Sequence, residues 1–252
     1  LPALIKDWRV KWNANFPFYI VQMPNIGNLN SNVSPCTYWG SIEPWNCVES
    51  GLADVRWGEL NTLKMPWTGM SVNFDLNAGA NDCDANISYH PKNKEEFTKR
   101  IVPWALNQIY GAGVPYTFTG PLYRSYEVVG SSVVVHSDLP NGGSGFSTSN
   151  GQPVTGFQIS SSASPENYVW ATAVTSTGDS VTVSAAAIAS PRHVRYAWAN
   201  NPVDPTGPVA NLTDAQGYLA SPFRTYDFSD MLVTSAAGAT IPDLNMTPSL
   251  TD

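Results

Sequence analysis

The chain has 252 residues, 42% of them hydrophobic and 13% charged, and a net charge of −7. That length buries a sizeable core, and the composition excludes a disordered or highly charged chain. The negative balance, with no basic cluster to neutralise phosphates, argues against nucleic acid as a partner, and no apolar run is long enough to span a bilayer.

In chain order, Leu1, Leu4, Ile5, Trp8 and Trp12 recur at helical spacing and predict that the chain opens in an amphipathic helix. Phe16 to Met23 is a short, β-rich apolar run that suits a parallel strand covered on both faces. Residues 24 to 50 read as a long loop rich in Asn, Pro, Ser, Cys and Trp, a length associated with function. Val55, Leu60 and Leu63 predict a helix ending before Pro66, and Met70 to Leu76 predicts the next strand. A polar loop then leads to His90, and Pro91 is expected to open a helix that Pro103 kinks and Gly111 closes.

From Val114 the pattern changes to short alternating runs: Ser125 to Val129, Val133 to Ser137, Gly156 to Ser160, Tyr168 to Val174, Ser180 to Ser184 and His193 to Ala199. Gly, Pro, Asn and Ser turns separate them, as in an antiparallel β-sandwich. The fold expected is therefore α/β: the C-terminal part of a doubly wound parallel sheet (residues 1–113), then an antiparallel β-sandwich (114–228), then an extended tail (229–252). Two buried-type parallel strands need neighbours on their hydrogen-bonding edges and helices on both faces. The first half of the doubly wound unit is accordingly expected from another segment.

The first residue is Leu1, which suggests a mature chain cut from a longer precursor. Sequons at Asn32, Asn86, Asn211 and Asn245 favour a secretory route, extracellular or lysosomal, although Pro follows the first and last. Cys36 and Cys47 flank a Trp-rich loop and are placed to close a disulfide. Cys83 is left over, for a bond to another polypeptide, a free thiol or a buried inert position. No Cys/His cluster has metal-ligand spacing, and no cofactor is expected.

The segment from Asp82 to Lys94 carries the chemistry. It places His90 after a polar loop that follows a strand, with Asp82 and Asp84 upstream and Asp75 further off. In open α/β sheets the active crevice lies outside the carboxyl ends of the strands. A neutral histidine there accepts a proton, and a carboxylate holds its tautomer. The same residues also fit a helix-capping histidine with solvated acids. His136 reads as a surface residue, and His193 as sandwich packing or strand edge. Gly178-Asp179-Ser180 reads as a hairpin turn, and Gly142 to Ser147 as a flexible loop without the strand–turn–helix setting of a nucleophile elbow. Tyr38, Trp39, Trp45 and Trp67 fit either a sugar-stacking face or loop anchors.

Several blocks resemble sialate O-acetylesterases of the SGNH-hydrolase superfamily. They are Leu1 to Trp12, Phe16 to Gln22, Leu60 to Met70, Val72 to Asp75, His90-Pro91-Lys92-Asn93-Lys94, Gly120 to Tyr123, Val194 to Pro202 and Ala220 to Arg224. The resemblance implies a serine esterase acting on O-acetylated sugars, with His90 as its base. Many members place Asp two residues before this histidine. Ser88 stands there in this chain, so Asp84 or Asp82 has to reach further. The family's Gly-Gln-Ser-Asn nucleophile block and its oxyanion-hole segment lie upstream of Leu1. Some members are cut into two chains, which implies a companion N-terminal segment as partner. Two other readings stand: a non-catalytic carbohydrate-binding or structural glycoprotein, and an SGNH esterase for another acetylated polysaccharide.

Overall fold

The computed structural model describes residues 1–25, 50–76, 83–84, 87–114, 119–140, 145–162, 167–203 and 207–226. Helix α1 (Pro2–Trp12) starts on a proline whose missing N–H costs nothing there, and it ends at Asn13 in the left-handed region, φ 49°. Only Ile5 and Arg9 of this helix are buried. Leu1, Leu4, Trp8 and Trp12 are 42 to 72% exposed, so the apolar side predicted for the helix lies mostly off the core. Arg9 is drawn in because its guanidinium donates to the carbonyls of Phe16, Pro66 and Trp67 at 3.0–3.1 Å.

Strand β1 (Phe18–Val21) is followed by α2 (Gly51–Thr62), which Ser50 caps by accepting from Ala53 N–H. Strand β2 (Thr68–Ser71) then pairs with β1 in parallel, Phe18 against Thr68 through Val21 against Ser71. The strand predicted from Met70 to Leu76 thus begins and ends earlier. Beyond Ser71 the ladder stops, because Asn73 Nδ2 turns back onto Gln22 O, Ser71 O and Ser71 Oγ. The polar segment expected as loop contains a short antiparallel pair, β3 (Cys83–Asp84) and β4 (Ile87–Pro91). Helix α3 (Lys94–Gln108) runs unbroken through Pro103, and Gly111 follows with φ 58°.

Helix α3 closes the outer edge of β2. Its residues Gln108, Trp104 and Arg100 donate side-chain hydrogen bonds to the carbonyls of Thr68, Met70 and Val72 at 3.2, 3.0 and 2.6 Å. These are the carbonyls that point away from β1, since Trp67 O and Ser71 O already accept from Phe18 and Gln22. Trp104 comes close enough only because residue 69 is glycine: a Cβ there would lie 2.6 Å from the indole.

The remaining strands are antiparallel. They are β5 (Leu122–Val129), β6 (Ser132–Asp138), β7 (Phe146–Thr148), β8 (Phe157–Ser160) and β9 (Val169–Trp170), then β10 (Ala173–Thr177), β11 (Ser180–Ser184), β12 (His193–Tyr196), β13 (Leu212–Asp214) and β14 (Phe223–Arg224). They form four-stranded sheets in the orders β10-β11-β6-β5 and β14-β12-β8-β9, and β13 pairs with β7. Alternation decides which side is buried: Val133, Val135, Val181 and Val183 face in, while Val134, His136, Ser180 and Thr182 are partly exposed. The run predicted from Tyr168 to Val174 is split between β9 and β10. The run predicted to Ala199 stops at Tyr196, because Ala197 takes φ 51°. Phe146 and Ser147, expected in a flexible loop, belong to β7, and β13 and β14 match none of the predicted alternating runs.

One apolar cluster joins Ile20, Leu60, Met70, Val72 and Phe74 to Val133, Phe157, Ile159, Val194, Tyr196 and Phe223. The two compositional halves of the chain therefore share a continuous core. Among the described residues no helix is long and apolar enough to cross a membrane.

Gly69→Ala is expected to lower stability by about 1–3 kcal/mol, because the tightly seated Trp104 has to give way. Urea unfolding of the variant measures it, and an unchanged midpoint would show that Trp104 is not held where described.

Candidate functional site

His90 is an exposed residue of β4, next to its end at Pro91. The helix predicted to open at Pro91 begins at Lys94, with Asn93 Oδ1 accepting from Glu96 N–H. Asn93 makes the better start, because its side chain caps the turn and Glu95 and Glu96 favour the positive helix end, while Pro91 pairs opposite Cys83. His90 thus lies outside the first helical turn.

Pairing of β3 with β4 brings the backbone of Asp84 alongside the strand that carries His90. Asp82 lies outside the described residues. Asp75 is committed elsewhere: its two carboxylate oxygens accept from Arg100 at 2.6 and 2.8 Å. Trp67, half-exposed and at φ 56°, precedes β2 and so stands at the opposite end of that strand from its carboxyl end. Trp39, Trp45, Cys36, Cys47, Asn32 and Asn86 lie outside the described residues, as does the tail from 229 to 252. Asn211 is fully buried; its amide donates to Asn150 Oδ1 and Pro153 O and accepts from Thr155 N–H, all at 2.9 Å. The sequon's asparagine is thus held inside the folded chain.

The sequence also passed over a buried polar seam at the carboxyl ends of β1 and β2. Arg56, on α2, donates to Met23 O, Pro24 O, Ala199 O and Asn200 O at 2.7–3.2 Å. Ser50 Oγ donates to Asn200 Oδ1, Asn25 Nδ2 to Asn201 Oδ1, and Gln22 Nε2 to Ser221 Oγ. Glu59 accepts from Met23 N–H at 2.9 Å. Full burial lowers the Arg56 guanidinium to about 9, although the charge of Glu59 opposes the shift. Burial likewise pushes the Glu59 carboxyl up to about 7, against the Met23 hydrogen bond and Arg56, which pull it down. The seam fixes the segment that leaves β1. Its sequence signal is an amide near the end of the first apolar run, Gln22.

A second histidine invites comparison with a hydrolytic array. His136 Nδ1 lies 2.9 Å from Ser180 Oγ, and His136 Nε2 lies 3.5 Å from Glu127. Ser180 stands on β11, whose backbone is paired on both sides with β6 and β10. The strand's N–H groups are consumed by these ladders and cannot gather around an oxyanion. The hydroxyl also donates to Asp179 at 3.0 Å. The group is a sheet-surface network beside the hairpin turn at Gly178, not a nucleophile elbow.

No protein-family model matches the chain, and no curated protein matches it significantly. Among solved structures, it is similar to a carbohydrate acetylesterase from Xanthomonas citri, with 28% identity and a TM-score of 0.70, covering 90% of this chain and 45% of that one. The chain thus spans less than half the length of that esterase.

Because the folded Glu59 carboxyl titrates near 7 rather than near 4.5, its fold-stabilising form is the protonated one. Its contribution is present below pH 4.5 and is lost as pH rises to about 7. Glu59→Gln is therefore expected to gain stability relative to the parent chain between pH 5 and pH 8. Urea midpoints across that range measure the gain, and curves that stay parallel would count against it.

Proposed function

We propose that this chain carries the base half of a carbohydrate O-acetylesterase site. A companion N-terminal segment supplies the nucleophilic serine and the oxyanion donors. The supporting observation is the likeness, along 90% of the chain, to a carbohydrate acetylesterase more than twice as long. The shape of the sheet favours the same reading. Helix α3 caps β2, and no described strand takes the far edge of β1, so further parallel strands fit only there. Helix α1, whose Trp8 ring meets Phe18 of β1 at 6.1 Å, leaves Leu1, Leu4 and Trp8 for a covering layer.

In this reading His90 removes the serine proton as the hydroxyl attacks the acetyl carbonyl. It then returns the proton to the leaving sugar oxygen, and water releases acetate from the acyl-serine. Asp84 or Asp82 orients the imidazole. Trp39 and Trp45, and Trp67 for a longer glycan, stack on sugar rings. O-acetylated sialic acid is the preferred substrate, the chain is secreted, Asn32 and Asn86 carry glycans, and Cys36 bonds Cys47.

The expectation is that the chain alone is inactive and becomes an esterase with its companion segment. His90→Gln in the complex then lowers kcat by roughly 10⁴-fold. Assays on O-acetylated sialic acid and on acetyl-xylan read both the activity and the sugar. Equal activity with and without the companion would overturn the divided site.

A further inference from the structure

We infer that the Asp75–Arg100 ion pair is a clamp that positions His90, an inference that rests on His90 being the base of the site. Asp75 stands on the turn just after β2, where the chain leaves the sheet. Arg100 stands on α3, where the chain has returned. Asp82, Asp84 and His90 all lie between the two. Arg100 Nη1 and Nη2 grip the two carboxylate oxygens at 2.6 and 2.8 Å, and Nη1 also reaches Val72 O at 2.6 Å. A two-pronged pair with a third bond fixes direction as well as distance, which a lysine cannot reproduce.

The pair is sheltered, at 14% and 27% side-chain exposure, and Gly217, Tyr218 and Leu219 line the small void beside it. One interaction therefore fastens both stems of the segment that carries His90. The segment's freedom is cut to what the closed stems allow. Neither charged group acts on substrate; both act through the place they give the imidazole. A displacement of about 1 Å at such a group is enough to cost roughly 100-fold in rate.

The test uses imidazole ¹H–¹³C spectra of the chain, with H90Q assigning the His90 signal among those of His136 and His193. In D75N the His90 signal is expected to shift and broaden, with the other two unmoved. With the companion segment present, kcat for 4-nitrophenyl acetate is expected to fall roughly 10- to 100-fold at a KM within about twofold of the parent. R100K, which keeps the charge but not the fork, falls between. If D75N fails to fold, R100K decides. A folded variant with the parent's His90 signal and kcat would overturn the clamp. An H90Q enzyme with full kcat would instead overturn His90 as the base, which the spectra do not depend on.

Discussion

The outward carbonyls of Thr68, Met70 and Val72 each receive a side chain from α3, and the rest of the N-terminal layer depends on that contact. The match is one of spacing. Every fourth helical residue advances about 6 Å, and every second strand residue about 6.6 Å, so Gln108, Trp104 and Arg100 meet successive carbonyls as helix and strand run oppositely. An edge strand normally offers these groups to another strand. Here the helix takes them, so the sheet ends at β2.

A second constraint acts where the strands end. Arg56 is fully buried and holds Met23, Pro24, Ala199 and Asn200 by their carbonyls. Removing one cation from such a seam strands several acceptors at once, which makes it a strong structural constraint. The antiparallel part is therefore more than an appendage. Through Asn200, Asn201 and Ser221 it braces the segment that leaves β1 and the start of α2, at the end of the strand where α/β sheets place their chemistry.

His90 is exposed, on a short strand that in chain order follows β2 and precedes a helix whose start is capped by Asn93. The network of His136, Ser180 and Glu127 brings histidine, serine and a carboxylate together, yet its serine stands on a strand paired on both sides. Residue identity is thus a poor guide to catalysis without a cleft and free N–H donors.

The sequence determined what depends on neighbours along the chain. Apolar periodicity gave α1, α2 and α3 and the parallel strand at Phe18, and alternation gave β5, β6, β8 and β11 nearly to their ends. Tertiary structure decided what depends on partners distant in sequence. Asn93, not Pro91, starts α3, because the proline is claimed by pairing with Cys83. Asn211 carries a sequon yet is buried, because residues some 60 positions earlier bond its amide. Leu4 and Trp8 read as core-facing but lie half-exposed, since a helical stripe shows which side is apolar and not whether anything covers it. Asp75 reads as a more distant carboxylate for His90 until Arg100, 25 residues on, takes both of its oxygens. Periodicity is local and legible; the choice of partner for a charge or an amide is made only when the chain closes on itself.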